Sequence, residues 1–492
     1  MHTSLQFLKK NSFYVNIILI ITILNIVLIF NNNLWCDEAF IVNACKLNYK
    51  ELLSYIANND MRPPLYLIMV KAFSTIFGSS IPTFKLFSII PGLLTMILGI
   101  YFINTSINVN KKFASTIFAL LIGLSPIGLT KNIEITIYSW VLFFVTSSVI
   151  FAYRIYMYGR KKDWILFTIM AICAAATHYY ALIAECFIYF FLFVFVIKNN
   201  KKKIINCLLC TITTIIAYIP VLPFFYQQFT TAKQSFWIEE VDIFTILGSL
   251  RMPFEGENAF TFSNEFTMIF LIFIISYFII CIKHIFDYKT KKTPIDQEII
   301  FCIILASIFI LLLCSGYIIS MVIRPLFIKR YTYTVTGVLW LFTSIMCGKI
   351  LKNNNIQLIC IGSIITMVLF SYPVAFHREY DDSTKTSVDY LETIVSSNDI
   401  FINNKEECAT WVLEYYFPQN SNYINCSENI YYKDKEFDFS TLRSTAWYFC
   451  SGKFDLDSDY LYSHNLACEY YGEVIFDNYY YFSIYKITPL NI

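Results

Sequence analysis

The chain has 492 residues, of which 57% are hydrophobic, 18% aromatic and only 15% charged, with a formal net charge of +2. Soluble domains carry about 25% charged residues, so a soluble globular enzyme and a disordered chain are excluded. The near-zero net charge gives no reason to expect a nucleic-acid partner.

Apolar runs of about twenty residues recur from Ser12 to Ala375, and the last quarter of the chain turns polar. That pattern excludes a single-span anchor. It predicts a polytopic α-helical membrane protein with about 11 transmembrane helices and a C-terminal α/β domain outside the bilayer. The expected spans are 12–30, 84–103, 113–129, 136–153, 164–179, 181–197, 204–222, 266–283, 297–318, 331–348 and 356–375. Lys9 and Lys10 ahead of the first span resemble a signal peptide, but no small-residue cleavage site follows, so it is read as a span. Segment 63–78 opens on Pro63-Pro64 and carries Lys71 mid-way, so it reads as a helix lying on the membrane surface.

Eighteen Lys and Arg fall in the loops on one side of this arrangement and ten on the other. The positive-inside rule makes the richer side cytoplasmic. The first loop (31–83), a second large loop (223–265) and the tail then all lie on the extracytoplasmic face. The expected domains are a transmembrane domain over 1–375 and an α/β domain over 376–492. In the tail, Leu391 to Val395 and Cys408 to Tyr416 read as helix. Ile400 to Ile402, Trp447 to Cys450 and Tyr479 to Ile487 read as strand. Cys408, Cys426, Cys450 and Cys468 allow two disulfides in any of three connectivities.

Ionisable groups beside a bilayer are costly unless they are paired or used. Here they gather at one depth, on the outer side. Asp37 and Glu38 follow the first span, and Lys85 opens the second. Lys131 and Glu134 lie between the third and fourth spans, His178 and Glu185 flank the fifth and sixth, and Arg324, Lys329 and Arg330 precede the tenth. Cations at the depth of a lipid head group can hold a phosphate, and a carboxylate can activate an acceptor hydroxyl or bind a metal. Transfer of a sugar from a polyprenyl phosphate needs both. Asp37 is the candidate base or metal ligand, and Glu38 a supporting acceptor or structural partner, since adjacent helical side chains point about 100° apart. Two other readings stay open. One is a multi-span lipid or polysaccharide transporter or flippase, which predicts internal repeats and midplane charges. The other is a non-catalytic membrane scaffold.

These residues resemble the GT-C class of glycosyltransferases, in the branch of protein O-mannosyltransferases and aminoarabinose transferases known as glycosyltransferase family 39. The resemblance rests on Asp37-Glu38-Ala39-Phe40, Arg62-Pro63-Pro64-Leu65-Tyr66, Gly78, Lys85 where Arg is commoner, and Ser125-Pro126. It continues through Glu134 with Tyr138, Thr177-His178-Tyr179 and Arg330-Tyr331. It implies a GT-C fold and an inverting transfer from a polyprenyl-phosphate sugar to a cell-envelope glycan, lipid or protein. Catalysis would fall to Asp37 and Glu38, and donor phosphate binding to Lys85, Arg330, Tyr331 and Lys131. Arg62, Glu134, Tyr138, His178 and Tyr179 would line the cavity. Some relatives use a divalent cation such as Mg or Mn, for which Asp37 would be the ligand. The tail does not resemble the β-trefoil insertions of the eukaryotic O-mannosyltransferases.

Overall fold

The computed structural model describes residues 11–31, 33–199, 203–234, 238, 240–255, 296–404, 407–420, 422–426, 439–452, 458–477 and 479–490. The first helix, α1 (Ser12–Val27), leads into three short helices, α2 (Cys36–Lys46), α3 (Tyr49–Asn59) and α4 (Leu65–Phe77). At 11 to 13 residues these three are too short to cross a bilayer. Asn48 caps α3 by accepting from the amides of Lys50 and Glu51, each at 3.0 Å. Gly78 ends α4 at a φ of +98°, which a side chain would strain. Lys71 does not lie among lipid head groups. It is 8% exposed and donates to the carbonyls of Cys45 and Leu47, which end α2.

A bundle follows: α5 (Ile81–Ser106), α6 (Lys111–Leu124), α7 (Pro126–Lys131), α8 (Tyr138–Tyr158), α9 (Lys161–Ala175), α10 (Tyr179–Asn199), α11 (Ile204–Tyr218), α12 (Leu222–Gln234), α13 (Ile243–Glu255), α14 (Gln297–Val322), α15 (Tyr333–Ile350) and α16 (Asn354–Glu379). Among the described residues seven helical stretches are long and apolar enough to cross a membrane. Ten of the expected spans fall on helices, and 266–283 lies outside the described residues. The expected third span, 113–129, is broken. Pro126 has no amide to continue α6, and the Ser125 hydroxyl accepts from the Gly128 amide at 3.1 Å, which starts α7. The fifth span ends at Ala175, short of the expected 179, which leaves His178 in a turn.

The most enclosed helix is α15, packed on α6, α8 and α14. Its small residues permit close approach. A Cβ added at Gly337 would stand 2.2 Å from the Thr146 hydroxyl of α8.

From α16 the chain passes directly into the tail: α17 (Ser383–Ile394), β1 (Ile400–Asn403), α18 (Glu407–Tyr416), β2 (Tyr423–Asn425), β3 (Ala446–Cys450), α19 (Ser458–Ser463), β4 (Leu466–Phe476) and β5 (Tyr480–Pro489). The sheet order is β2-β1-β3-β5-β4. β1 is parallel to β2 and β3, and β5 is antiparallel to β3 and β4. One face, with Phe401, Trp447, Phe449 and Phe482, joins the apolar core that runs up from the bundle. The other face closes a small core of its own around Ile402, Tyr448, Leu466 and Ile487. The tail is therefore seated on the bundle through buried aromatic surface.

Candidate active site

Helix α2 opens the site. Trp35 precedes it in extended conformation, and Glu38 completes a capping box by accepting from the Trp35 amide at 2.9 Å. The other Glu38 oxygen accepts from the Ile135 amide at 2.8 Å. Both oxygens are thus spent on backbone, and Glu38 fastens the start of α2 to the loop before α8. Burial, offset by Lys85 and reinforced by Glu134 and Glu379, pushes its carboxyl up to about 7.

Asp37, one residue earlier, turns the other way. Its side chain is 27% exposed, and its Oδ2 accepts from Nη1 of Arg330 at 3.3 Å. A second arginine stands in the same neighbourhood. Arg62 donates from Nε to Asp60 Oδ1 at 2.7 Å and lies over the Phe40 ring. Burial disfavours the Arg62 charge, but Asp60 and Asp37 outweigh it and hold its pKa above the ordinary value. Asp60, fully enclosed, is raised by burial against the pull of Arg62. Gln228 of α12 fixes this segment: its Nε2 donates to the carbonyls of Ile56 and Arg62, each at 3.0 Å, and its Oε1 accepts from the Tyr179 hydroxyl at 2.6 Å. Tyr179 therefore acts on the site through Gln228.

His178 completes the group. Its ring lies 5.1 Å from that of Tyr331 and 6.1 Å from that of Tyr138. Tyr331 stacks in turn on Tyr180 at 5.2 Å. Burial first, then Arg62 and Arg330, push the His178 imidazole down to about 3. It is neutral at physiological pH. Its Nδ1 accepts from the Tyr180 amide at 3.0 Å, so the proton sits on Nε2 and the ring can donate.

Lys85 has other neighbours. It is 1% exposed, and its ammonium meets Glu379 Oε2 at 2.5 Å and Asn31 Oδ1 at 2.9 Å. Asn31 donates back to the same Glu379 oxygen at 2.7 Å. Arg378 and Asp477 of the tail side lie within electrostatic reach. Lys131 is also enclosed: its ammonium is 2.5 Å from Glu134 Oε2 and 5.0 Å over the Tyr138 ring. Glu185 faces Ser148 and Tyr189 inside the bundle.

The structure thus gathers Asp37, Arg62, Tyr138, His178, Arg330 and Tyr331. It places Glu38, Lys85 and Glu134 in a second, buried network behind α2. Asp60, Asn31, Gln228 and Glu379 are missing from the sequence reading. Asp60 is two residues before Arg62, and Glu379 ends the last span at the same depth as the others, so both carry a readable signal. Asn31 and Gln228 are uncharged and carry none.

Among the described residues no group of three or more His, Cys, Asp or Glu side chains stands ready to hold a metal ion. A cation on Asp37 would share its carboxylate with a guanidinium, and two arginines suit an anion better.

The sequence matches no family model and no curated protein. Solved structures do match. ArnT from Cupriavidus metallidurans in the apo state superposes with a TM-score of 0.64 at 10% identity, over 97% of this chain and 98% of that one. The same protein bound to undecaprenyl phosphate gives 0.61 at 10% identity, over the same shares. The archaeal oligosaccharyltransferase AglB from Archaeoglobus fulgidus, solved with an inhibitory peptide and a dolichol-phosphate, gives 0.43 at 12% identity, over 83% of this chain and 64% of that one. The likeness to ArnT runs end to end, tail included: the chain is a multi-pass helical membrane protein with the GT-C fold.

Proposed function

We propose that the chain is a membrane glycosyltransferase that moves a sugar from a polyprenyl-phosphate donor to a cell-envelope acceptor, on the extracytoplasmic face and with inversion. The observation that carries this reading is the partly exposed Asp37–Arg330 ion pair beside Arg62. It sets a carboxylate next to two cations at one end of an apolar bundle. The ArnT structure bound to undecaprenyl phosphate supports the carrier class.

The steps follow from the groups present. The donor phosphate draws Arg330 off Asp37 and takes Arg62 as a second partner, each a charge-assisted contact. Asp37, released, accepts a hydrogen bond from the acceptor hydroxyl. As the new C1–O bond forms on the face opposite the phosphate, the C1–O bond to phosphate breaks and Asp37 takes the proton. The leaving polyprenyl phosphate gains a negative charge, which the two guanidiniums meet. Neutral His178 offers its Nε2 proton as a hydrogen-bond donor, with the Tyr138 and Tyr331 rings beside it. Lys85 serves at a distance, by holding Asn31 and Glu379. No step is routed through a divalent cation. Turnover that stops with a chelator and returns with Mg or Mn would put a metal on Asp37.

The test is transfer or slow donor hydrolysis by the purified chain supplied with polyprenyl-phosphate sugars. Asp37→Asn should lower turnover by about 10²–10⁴-fold with folding intact; undiminished turnover in that variant refutes the mechanism. Orientation is read with an impermeant thiol reagent on intact cells. Gln419→Cys should label above the parent chain and Arg160→Cys should not.

A further inference from the structure

We infer that Cys36 and Cys408 are a disulfide-forming pair which, once oxidised, staples the C-terminal domain to the helix that bears Asp37. The inference rests on the extracytoplasmic placement of that domain.

The register of two helices puts the sulfurs together. α2 and α18 run side by side in the same direction. The Cys36 and Cys408 thiols lie within interaction reach of each other. One turn on, the Phe40 ring lies 4.7 Å from Trp411, and Asn43 Nδ2 donates to the Trp411 carbonyl at 3.0 Å. At the far end the Lys46 ammonium stands 5.3 Å over the Tyr415 ring. Each step along α2 is matched by a step along α18, so the first turns of both helices meet and present one cysteine each. Cys36 also lies within reach of Tyr480 of β5, and the neighbouring Trp35 packs on Tyr479 and Tyr480. The pair therefore sits on the seam between the first loop and the tail, beside the residue assigned as base.

Two of the tail's other cysteines hydrogen-bond near Asn403 and Asn404. The Cys426 thiol donates to the Asn403 carbonyl at 3.3 Å, and Cys450 accepts from Asn404 Nδ2 at 3.5 Å. Cys468 is exposed on β4. The four tail cysteines allow bridges among themselves; the inferred pairing instead joins one of them, Cys408, to the first loop.

The two sulfurs differ in access, which orders the chemistry. Cys36 is buried, and its neighbour Cys408 and its burial hold it protonated. Cys408 is half-buried. Its thiolate attacks the disulfide of an extracytoplasmic dithiol oxidase, or of oxidised glutathione in vitro. A mixed disulfide forms and one thiolate of the oxidant leaves. The Cys36 sulfur gives its proton to water and attacks the Cys408 sulfur, expelling the second thiolate. Two electrons pass from the pair to the oxidant and two protons are released. The product ties together covalently two parts of the chain that otherwise meet through non-covalent contacts.

The experiment uses the full-length chain in detergent with oxidised glutathione as the probe. Remaining thiols are alkylated, and the digest is read by mass spectrometry without reduction. The expected result is a linked peptide carrying Cys36 and Cys408, lost on adding dithiothreitol, and a melting temperature several degrees higher in the oxidised protein. Cys36→Ser and Cys408→Ser should each abolish both. Linkage of Cys408 to Cys426, Cys450 or Cys468, or full alkylation of both thiols, overturns the proposal. A second arm quenches intact cells with acid and alkylates them. A pair found reduced there, while Gln419→Cys labels from outside, also overturns it. Failure of Gln419→Cys to label instead strikes the extracytoplasmic reading. No arm depends on sugar transfer, so an inactive enzyme with an intact cross-link sinks the transferase reading alone.

Discussion

Replacing Lys85 by methionine removes the ammonium facing Glu379 and keeps most of the apolar stem. The Glu379 side chain, 12% exposed, is then left buried with the Asn31 amide at 2.7 Å and the charge of Arg378 nearby. Breaking one half of a buried ion pair costs about 3–5 kcal/mol, because the remaining charge is uncompensated. Arg378 offsets part of this, so a loss of about 3 kcal/mol is expected for Lys85→Met. Removing both charges is a different case. In Lys85→Met/Glu379→Gln the amide can still meet Asn31, and the double variant should recover most of the loss, about 2 kcal/mol of the 3. Two assays are read together: unfolding in detergent followed by tryptophan fluorescence, and transfer from a polyprenyl-phosphate sugar. If Lys85 acts through Glu379 and Asn31, turnover falls with stability in the single variant and returns with it in the double. If its ammonium instead grips the donor phosphate, the double variant is stable and still inactive. A Lys85→Met protein as stable as the parent but without turnover, and no better in the double, refutes the reasoning.

Arg330→Ala removes one phosphate partner, and loss of a charge-assisted hydrogen bond of about 1.5–3 kcal/mol should lower kcat/KM for the donor roughly 10- to 100-fold; steady-state kinetics with varied donor check this. Glu38, raised from 4.5 to about 7 in the folded chain, binds its proton more tightly folded than unfolded. Its contribution is whole below pH 4.5 and is lost as pH rises through 7, on the order of 3 kcal/mol. Asp477, pushed up to about 6 by burial against Arg378, has the same sign. Melting temperature should therefore fall between pH 5 and 7.5, and Glu38→Gln should flatten that slope without abolishing it. Gly337→Ala forces a methyl to within 2.2 Å of the Thr146 hydroxyl and should cost about 1–3 kcal/mol of thermal stability with the donor KM unchanged.

The spans were legible because apolar runs report directly on burial in lipid: ten of the eleven expected spans fall on helices in the expected order, and seven helical stretches among the described residues are long and apolar enough to cross a membrane. Their ends were not. The stop at Ser125-Pro126 is a matter of one missing amide and one capping hydroxyl inside an unbroken apolar run. In the tail, β1, β3, β5, α17 and α18 carry apolar patterns strong enough to read, and the six-residue α19 does not. β2 is three residues long, too short for any period. β4 hides its alternation behind a bulge between Tyr470 and Gly472, where Gly472 takes a φ of +128°. In sequence the candidate site reads as a set of charges near the ends of the expected spans. Which charge meets which is not legible there, because Lys85 and Glu379 stand at opposite ends of the membrane domain in sequence. The packing of α16, which ends on Glu379, against the rest of the bundle brings them together.

The adjacent acids show what decides a role once the charges are placed. Asp37 and Glu38 share a helical turn and nearly the same chemistry, and side chains one apart diverge by about 100°. On Glu38's side lie two backbone amides and a buried network, so each of its oxygens already accepts from backbone, and burial makes its charge costly. On Asp37's side lie open space and a guanidinium at 3.3 Å that a phosphate can take away. A base must lose its partner when substrate arrives, and a clamp must never do so. Only the Asp37 contact is both reachable and exchangeable. On the proposed reading the cations divide the same way: Arg330 and Arg62 lie beside the partly exposed acid, and Lys85 lies near the buried one.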